Sequence, residues 1–426
     1  MARRFFSSIV FFLCGITAAH TDFVPGQVLL KLSGDPETPQ FSGFREALKR
    51  LHGEIQWKYS IVHGLNLVSF PESEPLDQVI AELQKAPGVT YAEPNYFIWA
   101  LGTVDAHAES VAPPIPSPVP QPIEWIADPR LSENYGVLQN GTDQVWTRYA
   151  WKGTPKTIIA VLDTGIDYTH PDLVSNLWRN PDSSPSADGA IGWDFVHGNA
   201  LPYDDFGHGT HVSGIAAAVG GNGIGIAGQC PRCSLMAVKV MDANGKGNDA
   251  WAIAGLEYAM KHGASVINSS WGETEASQSL YEAFAATSRA GIVNAVAAGN
   301  SGWDLDFMDL YPAKFALPGL IAVAALTSSA VIPSWSNYGP RTVPLSSAGD
   351  AVLSTVPDGK YALGYGTSMA TPNISGCAAL IRSYRPDLTG EQVVQLFHYT
   401  VSDPSSARMT AFGGRPDMPR IFSQLH

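Results

Sequence analysis

From residue 157 onward, short and almost unbroken apolar runs alternate with segments of helical period, and nothing else in the sequence constrains the fold so strongly. The runs lie at 157–162, 235–240, 265–268, 292–298 and 320–325; the helical patterns lie at 210–219, 249–262, 277–289, 369–384 and 390–400. Strands that lack a polar face must be covered on both sides, so the pattern predicts an α/β body with a mostly parallel sheet between helical layers. In such sheets sites form at the carboxyl ends of strands. The residues just after each run are therefore the ones to inspect.

What precedes this body divides into three parts. Arg3 and Arg4, an apolar run over 5–16 and the small residues Thr17, Ala18 and Ala19 read as a secretory signal, 1–19, cleaved after Ala19. The run is shorter than the ~20 residues a membrane span needs, so no anchor is expected after its removal. The chain should be secreted, extracellular or periplasmic. Over 20–101, alternating runs at 26–32, 65–70 and 89–92 enclose helical stretches at 43–52 and 76–86, a small α+β unit. Pro113, Pro114, Pro116, Pro118, Pro120 and Pro122 make 102–124 a stiff, exposed linker to the main body, 125–424.

Composition excludes some functions. Charged residues are 15% of the 426, against roughly 25% in an average globular chain, so extensive disorder is not expected. The net charge of −13 argues against nucleic acid as the main partner, because phosphate binding needs a basic face. Export also bears on the cysteines. Cys14 leaves with the signal; Cys230 and Cys233 form a C-P-R-C pair open to redox, zinc or disulfide readings, of which a local disulfide suits an oxidising compartment best. Cys377, among small apolar residues, reads as a buried hydrophobe.

Three motifs carry chemistry. Asp163 ends the first run of the body in Val161-Leu162-Asp163-Thr164-Gly165. His208 stands in Gly207-His208-Gly209-Thr210-His211, where glycines open a helix, and Ser368 in Gly366-Thr367-Ser368-Met369-Ala370, again at a loop-to-helix junction. A serine hydroxyl is a weak nucleophile at neutral pH; an imidazole can take its proton if a carboxylate fixes the imidazole's tautomer. The helix start also places the serine at the positive end of the helix dipole.

The order Asp, His, Ser is that of subtilisins, and the sequence over 125–424 resembles the subtilase family of serine proteases, with thermitase-like and proteinase K-like features. The resemblance implies a subtilisin-like three-layer α/β/α fold, preceded by an α+β, ferredoxin-like propeptide over 20–101 that aids folding, inhibits, and is removed by self-cleavage; Val89 to Tyr96 carries that likeness most clearly. It implies Asp163 as the orienting carboxylate, His208 as base and acid, Ser368 as nucleophile and Asn300, in Ala298-Gly299-Asn300-Ser301, as an oxyanion donor with the Ser368 N–H. His211 is implied to be non-catalytic. Ser270, Trp271 and Gly272 would pair with extended substrate, Ala298 and Gly299 would wall the primary pocket, and Leu310 would sit at its floor. Asp304, Asp306 and Asp309 beside it would either attract basic residues or merely be solvated.

A Ca²⁺ site is implied by Asp172 and Asn222 through side-chain oxygens and by Gly220, Ile224 and Ile226 through carbonyls, with Asp128 a further candidate; hard oxygen donors on a glycine-rich loop suit that ion. The implied function is that of a secreted serine endopeptidase made as a self-processing zymogen, a monomer whose partners are polypeptide substrates and its own propeptide. Two departures stand out: Asn373 replaces the family's histidine after Pro372, and Ser347-Ala348-Gly349 replaces its Ala-Pro-Gly turn. A silent binding relative and an esterase are the rival readings; the first lacks a missing chemical residue, and the second leaves the peptide-pairing segment without a purpose.

Overall fold

Ile159 and Val161 point to one face of their strand and Ala160 and Leu162 to the other, and all four are completely buried. That two-sided burial organises the whole computed structural model, which describes residues 22–106, 112–122, 125, 127–182, 189–400 and 408–425. The export signal expected over 1–19 lies outside the described residues.

The front unit runs β1 (Phe23–Leu32), α1 (Ser42–Arg50), β2 (Glu54–Lys58), β3 (Leu65–Ser69), α2 (Leu76–Leu83) and β4 (Val89–Ala100). β1 pairs antiparallel with β3 and β4, and β2 with β3, the ferredoxin-like order. One sheet face packs on the helices through Val28, Leu30, Phe44 and Val79, while Leu29 and Leu65 turn towards the larger unit. β4 is eight residues longer than its apolar run predicts, and its far end leaves the front unit altogether.

After β5 (Thr103–Val104), residues 112–122 lie against the larger unit rather than crossing open solvent. Proline has no N–H to donate, but its carbonyl remains an acceptor, and these carbonyls dock the segment. Tyr168 Oη donates to Pro113 O at 2.6 Å, Arg179 Nη1 to Pro116 O at 3.0 Å and Arg232 Nη2 to Pro122 O at 3.0 Å. The exposed linker is thus corrected to a partly buried strap.

The larger unit continues with α3 (Tyr135–Asn140), α4 (Thr142–Arg148), β6 (Ile158–Asp163), β7 (Gly192–Asp194), α5 (His208–Ala217), β8 (Ser234–Lys239), β9 (Lys246–Asn248), α6 (Asp249–Lys261), β10 (Val266–Ser269) and β11 (Trp271–Gly272). It ends with α7 (Gln278–Arg289), β12 (Val293–Ala297), β13 (Leu320–Leu326), β14 (Leu345–Ala348), β15 (Val352–Val356), β16 (Lys360–Tyr365), α8 (Thr367–Tyr384), α9 (Gly390–Thr400) and α10 (Met418–Ser423). A seven-stranded parallel sheet has the order β14-β13-β12-β10-β6-β8-β7. Helices α5, α8, α9 and α10 share the core on one face, and α6 and α7 share that on the other.

Cys230 and Cys233 are joined in a disulfide, and Cys377 is buried with its thiol pushed up to about 12 by desolvation, an inert packing residue. No described helix is long and apolar enough to cross a membrane.

Candidate active site

Asp163 closes β6, and His208 begins α5 immediately after Gly207, whose φ of +103° is a left-handed turn that favours glycine. The imidazole Nδ1–H donates to Asp163 Oδ1 at 2.7 Å, and both residues are completely buried. Burial opposes the imidazolium, but the Asp163 charge, its hydrogen bond and the charge of Asp204 outweigh that cost and hold His208 above its usual value.

Asp204 is a buried carboxylate that the sequence reading overlooked. It accepts from the backbone N–H of Phe206, Gly207 and Thr210 and from the hydroxyls of Thr164 and Thr210, at 2.6–3.1 Å. These bonds tie the end of β6 to the start of α5, where Asp163 and His208 meet. A signal was present: an aspartate four residues before His208, at a helix start, is a capping pattern.

Ser368 is the second residue of α8, behind Gly366 at φ +140°. Its Oγ donates to the Ser270 carbonyl at 3.1 Å, and His208 Nε2 has no hydrogen-bond partner among the described residues. The carboxylate–imidazole pair is therefore assembled, whereas the hydroxyl must leave Ser270 before the imidazole can accept its proton. Asn300 follows β12; its Oδ1 accepts from the Thr367 N–H at 2.8 Å and the Thr367 hydroxyl at 3.0 Å. With the oxygen end pinned, the amide Nδ2 is the end left to donate.

The far end of β4 fills the groove between these residues. Phe97, Ile98 and Trp99 pair antiparallel with Asn248, Gly247 and Lys246 of β9, while Trp99 and Ala100 pair with Gly272 and Trp271 of β11. Leu101 continues the strand, its N–H donating to Ser270 O at 3.0 Å and its carbonyl accepting from the Ser368 N–H at 3.1 Å. Beyond it, Thr103 and Val104 pair with Tyr365 and Gly364 of β16. A Cβ on Gly102 would come 2.9 Å from Tyr365 O and 3.1 Å from Ser368 Oγ, so the bond between Leu101 and Gly102 lies against the hydroxyl.

The pocket residues converge as well. A Cβ on Gly272 would come 3.0 Å from Leu101 Cδ1 and 3.5 Å from Leu310 Cδ2, and one on Gly299 would come 2.5 Å from Leu310 Cδ2. Ala298 and Leu310 are buried. The acidic loop's carboxylates already have partners: Asp306 binds Arg341 and Thr342, Asp309 pairs with Lys314, and Asp304 accepts from the Asp306 N–H. His211 is buried with Nε2 against Val352 O and Ala362 O, and desolvation pushes it down to about 3.

The oxygen-rich loop is equally well gathered. The Asp128 carboxylate accepts from the N–H groups of Gly221 and Asn222, and Asp172 accepts from Asn222 Nδ2 at 2.7 Å, Ile226 N at 3.0 Å and Tyr361 Oη at 3.0 Å. Burial pushes Asp172 up to about 6 and raises Asp128, whose charge also acts on Asp172. Gly220 and Ile224 lie on the same loop. Among the described residues no cluster of three or more His, Cys, Asp or Glu side chains is placed to hold a metal, so any ion here would need amide and carbonyl oxygens beside the Asp128 and Asp172 carboxylates.

Comparison with known proteins bears on this geometry. The subtilase family model matches residues 154–413, and a fervidolysin N-terminal prodomain model matches 16–95. The chain belongs to the subtilase family, which makes it a serine endopeptidase by descent. Subtilisin E of Bacillus subtilis (strain 168) is 36% identical over 353 residues, 82% of this subtilase and 78% of its relative. A thermophilic serine proteinase of Bacillus sp. (strain AK1) is 36% identical over 311 residues, 72% and 67% of the two chains. The crystal structure of fervidolysin from Fervidobacterium pennivorans, described as a keratinolytic enzyme related to subtilisin, superposes with a TM-score of 0.76 at 25% identity. It covers 96% of this subtilase, which in turn spans 62% of that chain.

The two departures from the family pattern touch each other. Asn373 Nδ2 donates to Ala348 O at 3.1 Å and to Met369 O at 2.9 Å, so the amide braces the turn after β14 from which the family's proline is missing.

Proposed function

We propose that this subtilase is a zymogen that cuts its own Leu101–Gly102 bond and then hydrolyses polypeptides through an acyl-enzyme on Ser368. The observation that carries this reading is the hydrogen bond from the Ser368 N–H to the Leu101 carbonyl, a substrate-like pose at the groove centre. Ser368 Oγ gives its proton to His208 Nε2 and attacks the carbonyl carbon; Asp163 holds the imidazole and offsets its charge. The oxyanion takes hydrogen bonds from the Ser368 N–H and Asn300 Nδ2. His208 then passes the proton to the leaving amine, and water repeats the sequence on the acyl group.

The front unit acts as folding aid and inhibitor. Its Asn95 Oδ1 accepts from the Ala250 N–H at the start of α6, and its Glu93 accepts from Gln278 and Ser279 N–H at the start of α7. Acceptors at helix N-termini satisfy orphan donors and oppose the positive end of the dipole, so they stabilise the two helices before the rest of the slow parallel sheet forms. Glu257 returns the contact, accepting from Ser60 and Ile61 N–H. We divide the chain accordingly into an export signal over 1–19, propeptide over 20–101, strap over 102–124 and peptidase over 125–424, exported and working as a monomer.

Labelling by a fluorophosphonate tests the nucleophile: after processing, Ser368 should carry the label and the enzyme should hydrolyse casein faster than simple esters. An unlabelled Ser368 or an ester-only activity would refute the reading. Asp128, Asp172 and Asn222, with the carbonyls of Gly220, Ile224 and Ile226, are assigned to Ca²⁺. Two buried carboxylates held against one glycine-rich loop, with the Asp128 charge raising Asp172, fit a cation, which supplies the missing positive charge. At a hundredfold excess over its Kd such an ion adds about 2.7 kcal/mol, so chelation should lower Tm by on the order of 5 °C. An unchanged Tm would remove the site.

A further inference from the structure

Asp249 and Glu273 directly follow the two strands that hold β4 in the groove, Asp249 after Asn248 of β9 and Glu273 after Gly272 of β11. Both are buried, Asp249 completely and Glu273 to 4% exposure. None of their four carboxyl oxygens has a hydrogen-bond partner of ordinary geometry among the described residues. The Glu273 carboxyl, the Ser277 hydroxyl and the Tyr96 backbone act on Asp249 at hydrogen-bonding range, and the further charges acting on the pair, Glu93 and Glu275, are carboxylates too. Burial first, with the Glu93 charge, pushes Asp249 up to about 7 against the lowering by the Glu273 and Ser277 contacts, and burial with the Asp249 charge holds Glu273 well above the carboxylate range. Two buried acids without a cation are costly, and here they border a groove whose occupant is exchanged.

The strand register fixes what that occupant presents. Ile98 pairs with Gly247 and Trp99 with Gly272, so Glu273 comes next opposite Ile98, and Asp249 stands two residues past the Ile98 partner on the other side. Ile98, completely buried, is the fourth residue upstream of the Leu101–Gly102 bond, with Leu101 counted as the first. Tyr96, which shares its face, feels both acids. The propeptide therefore presents uncharged side chains on the face that carries the two carboxyls.

We propose that Asp249 and Glu273 form a subsite for a basic side chain, arginine or lysine, at the fourth position upstream of the bond cleaved in substrates. The proposal rests on the reading that β4 occupies the substrate groove. The aliphatic stem of an arginine takes the place of Ile98, and its planar guanidinium donates to both carboxylates. Glu273 is held ready for it, because its backbone pairs with Tyr311 in both directions at 2.9 and 2.8 Å. A propeptide that leaves the acids uncompensated yields the groove to substrates that neutralise them.

The test uses mature enzyme from self-processed full chain and peptides with leucine at the first position, varied at positions three to six. Arginine at position four should exceed citrulline, its uncharged isostere, and leucine by at least about tenfold in kcat/KM. In the Asp249→Asn, Glu273→Gln double variant that ratio should fall to near one while the leucine peptide is cleaved much as before. If the double variant does not fold, the arginine-to-citrulline ratio of the unaltered enzyme decides alone. A ratio near one in the unaltered enzyme, a preference at another position instead, or one that persists in the double variant overturns the subsite and leaves the protease reading intact. A processed chain that cleaves no peptide overturns both.

Discussion

Chain carrying Ser368→Ala is expected to accumulate at full length and to hydrolyse casein roughly a million-fold more slowly than the unaltered enzyme, the loss measured for the corresponding change in subtilisin, a relative of this chain. The physical reason is that the variant lacks the hydroxyl that lies against the Leu101–Gly102 bond. The Leu101 carbonyl would remain bonded to the residue-368 N–H, since that donor belongs to the backbone, so the variant should still fold and still hold its propeptide. A Ser368→Ala chain that retains casein hydrolysis would assign the chemistry elsewhere.

Asp163→Asn should cost about 10⁴-fold in kcat with little change in fold. An amide at this position can donate to Nδ1 and so hold the imidazole in the tautomer that places its proton on Nε2, where the serine needs an acceptor. The pH profile separates this from a merely structural loss. His208 must be neutral to accept a proton, and Asp163 raises its pKa, so in the unaltered enzyme kcat/KM is lost as pH falls through that raised value. Without the carboxylate the pKa drops, and the acidic limb should move to lower pH. An unshifted limb would mean that the carboxylate does not act through His208.

The placement of Asp163, His208, Ser368 and Asn300 around one groove was legible because each sits in a short local motif at a strand end or helix start. The parallel sheet was legible for the same reason, through the apolar runs at β6, β8, β10, β12 and β13. Features that depend on distant partners were not. Phe97-Ile98-Trp99-Ala100 has no alternation to mark it as strand, because it is held by β9 and β11 and not by its own sheet. β14, Ser-rich and four residues long, and the hairpin of β15 and β16 lack the apolar run that betrays a buried strand. The strap reads as free linker because prolines dock by carbonyls, which no side-chain pattern reveals. Nothing in the sequence singles out Asp249 and Glu273, since only the tertiary fold buries them beside β4.

The claim on which the rest depends is that the chain lies across its own active site with the Leu101–Gly102 bond at Ser368. Intact-mass and N-terminal analysis of purified full-length protein, incubated alone and beside the Ser368→Ala variant, tests it most directly. The structure predicts two fragments from the unaltered chain, one ending at Leu101 and one beginning at Gly102, at a rate independent of protein concentration, and no cleavage in the variant. Cleavage at another bond, or the same cleavage in the Ser368→Ala chain, would contradict it.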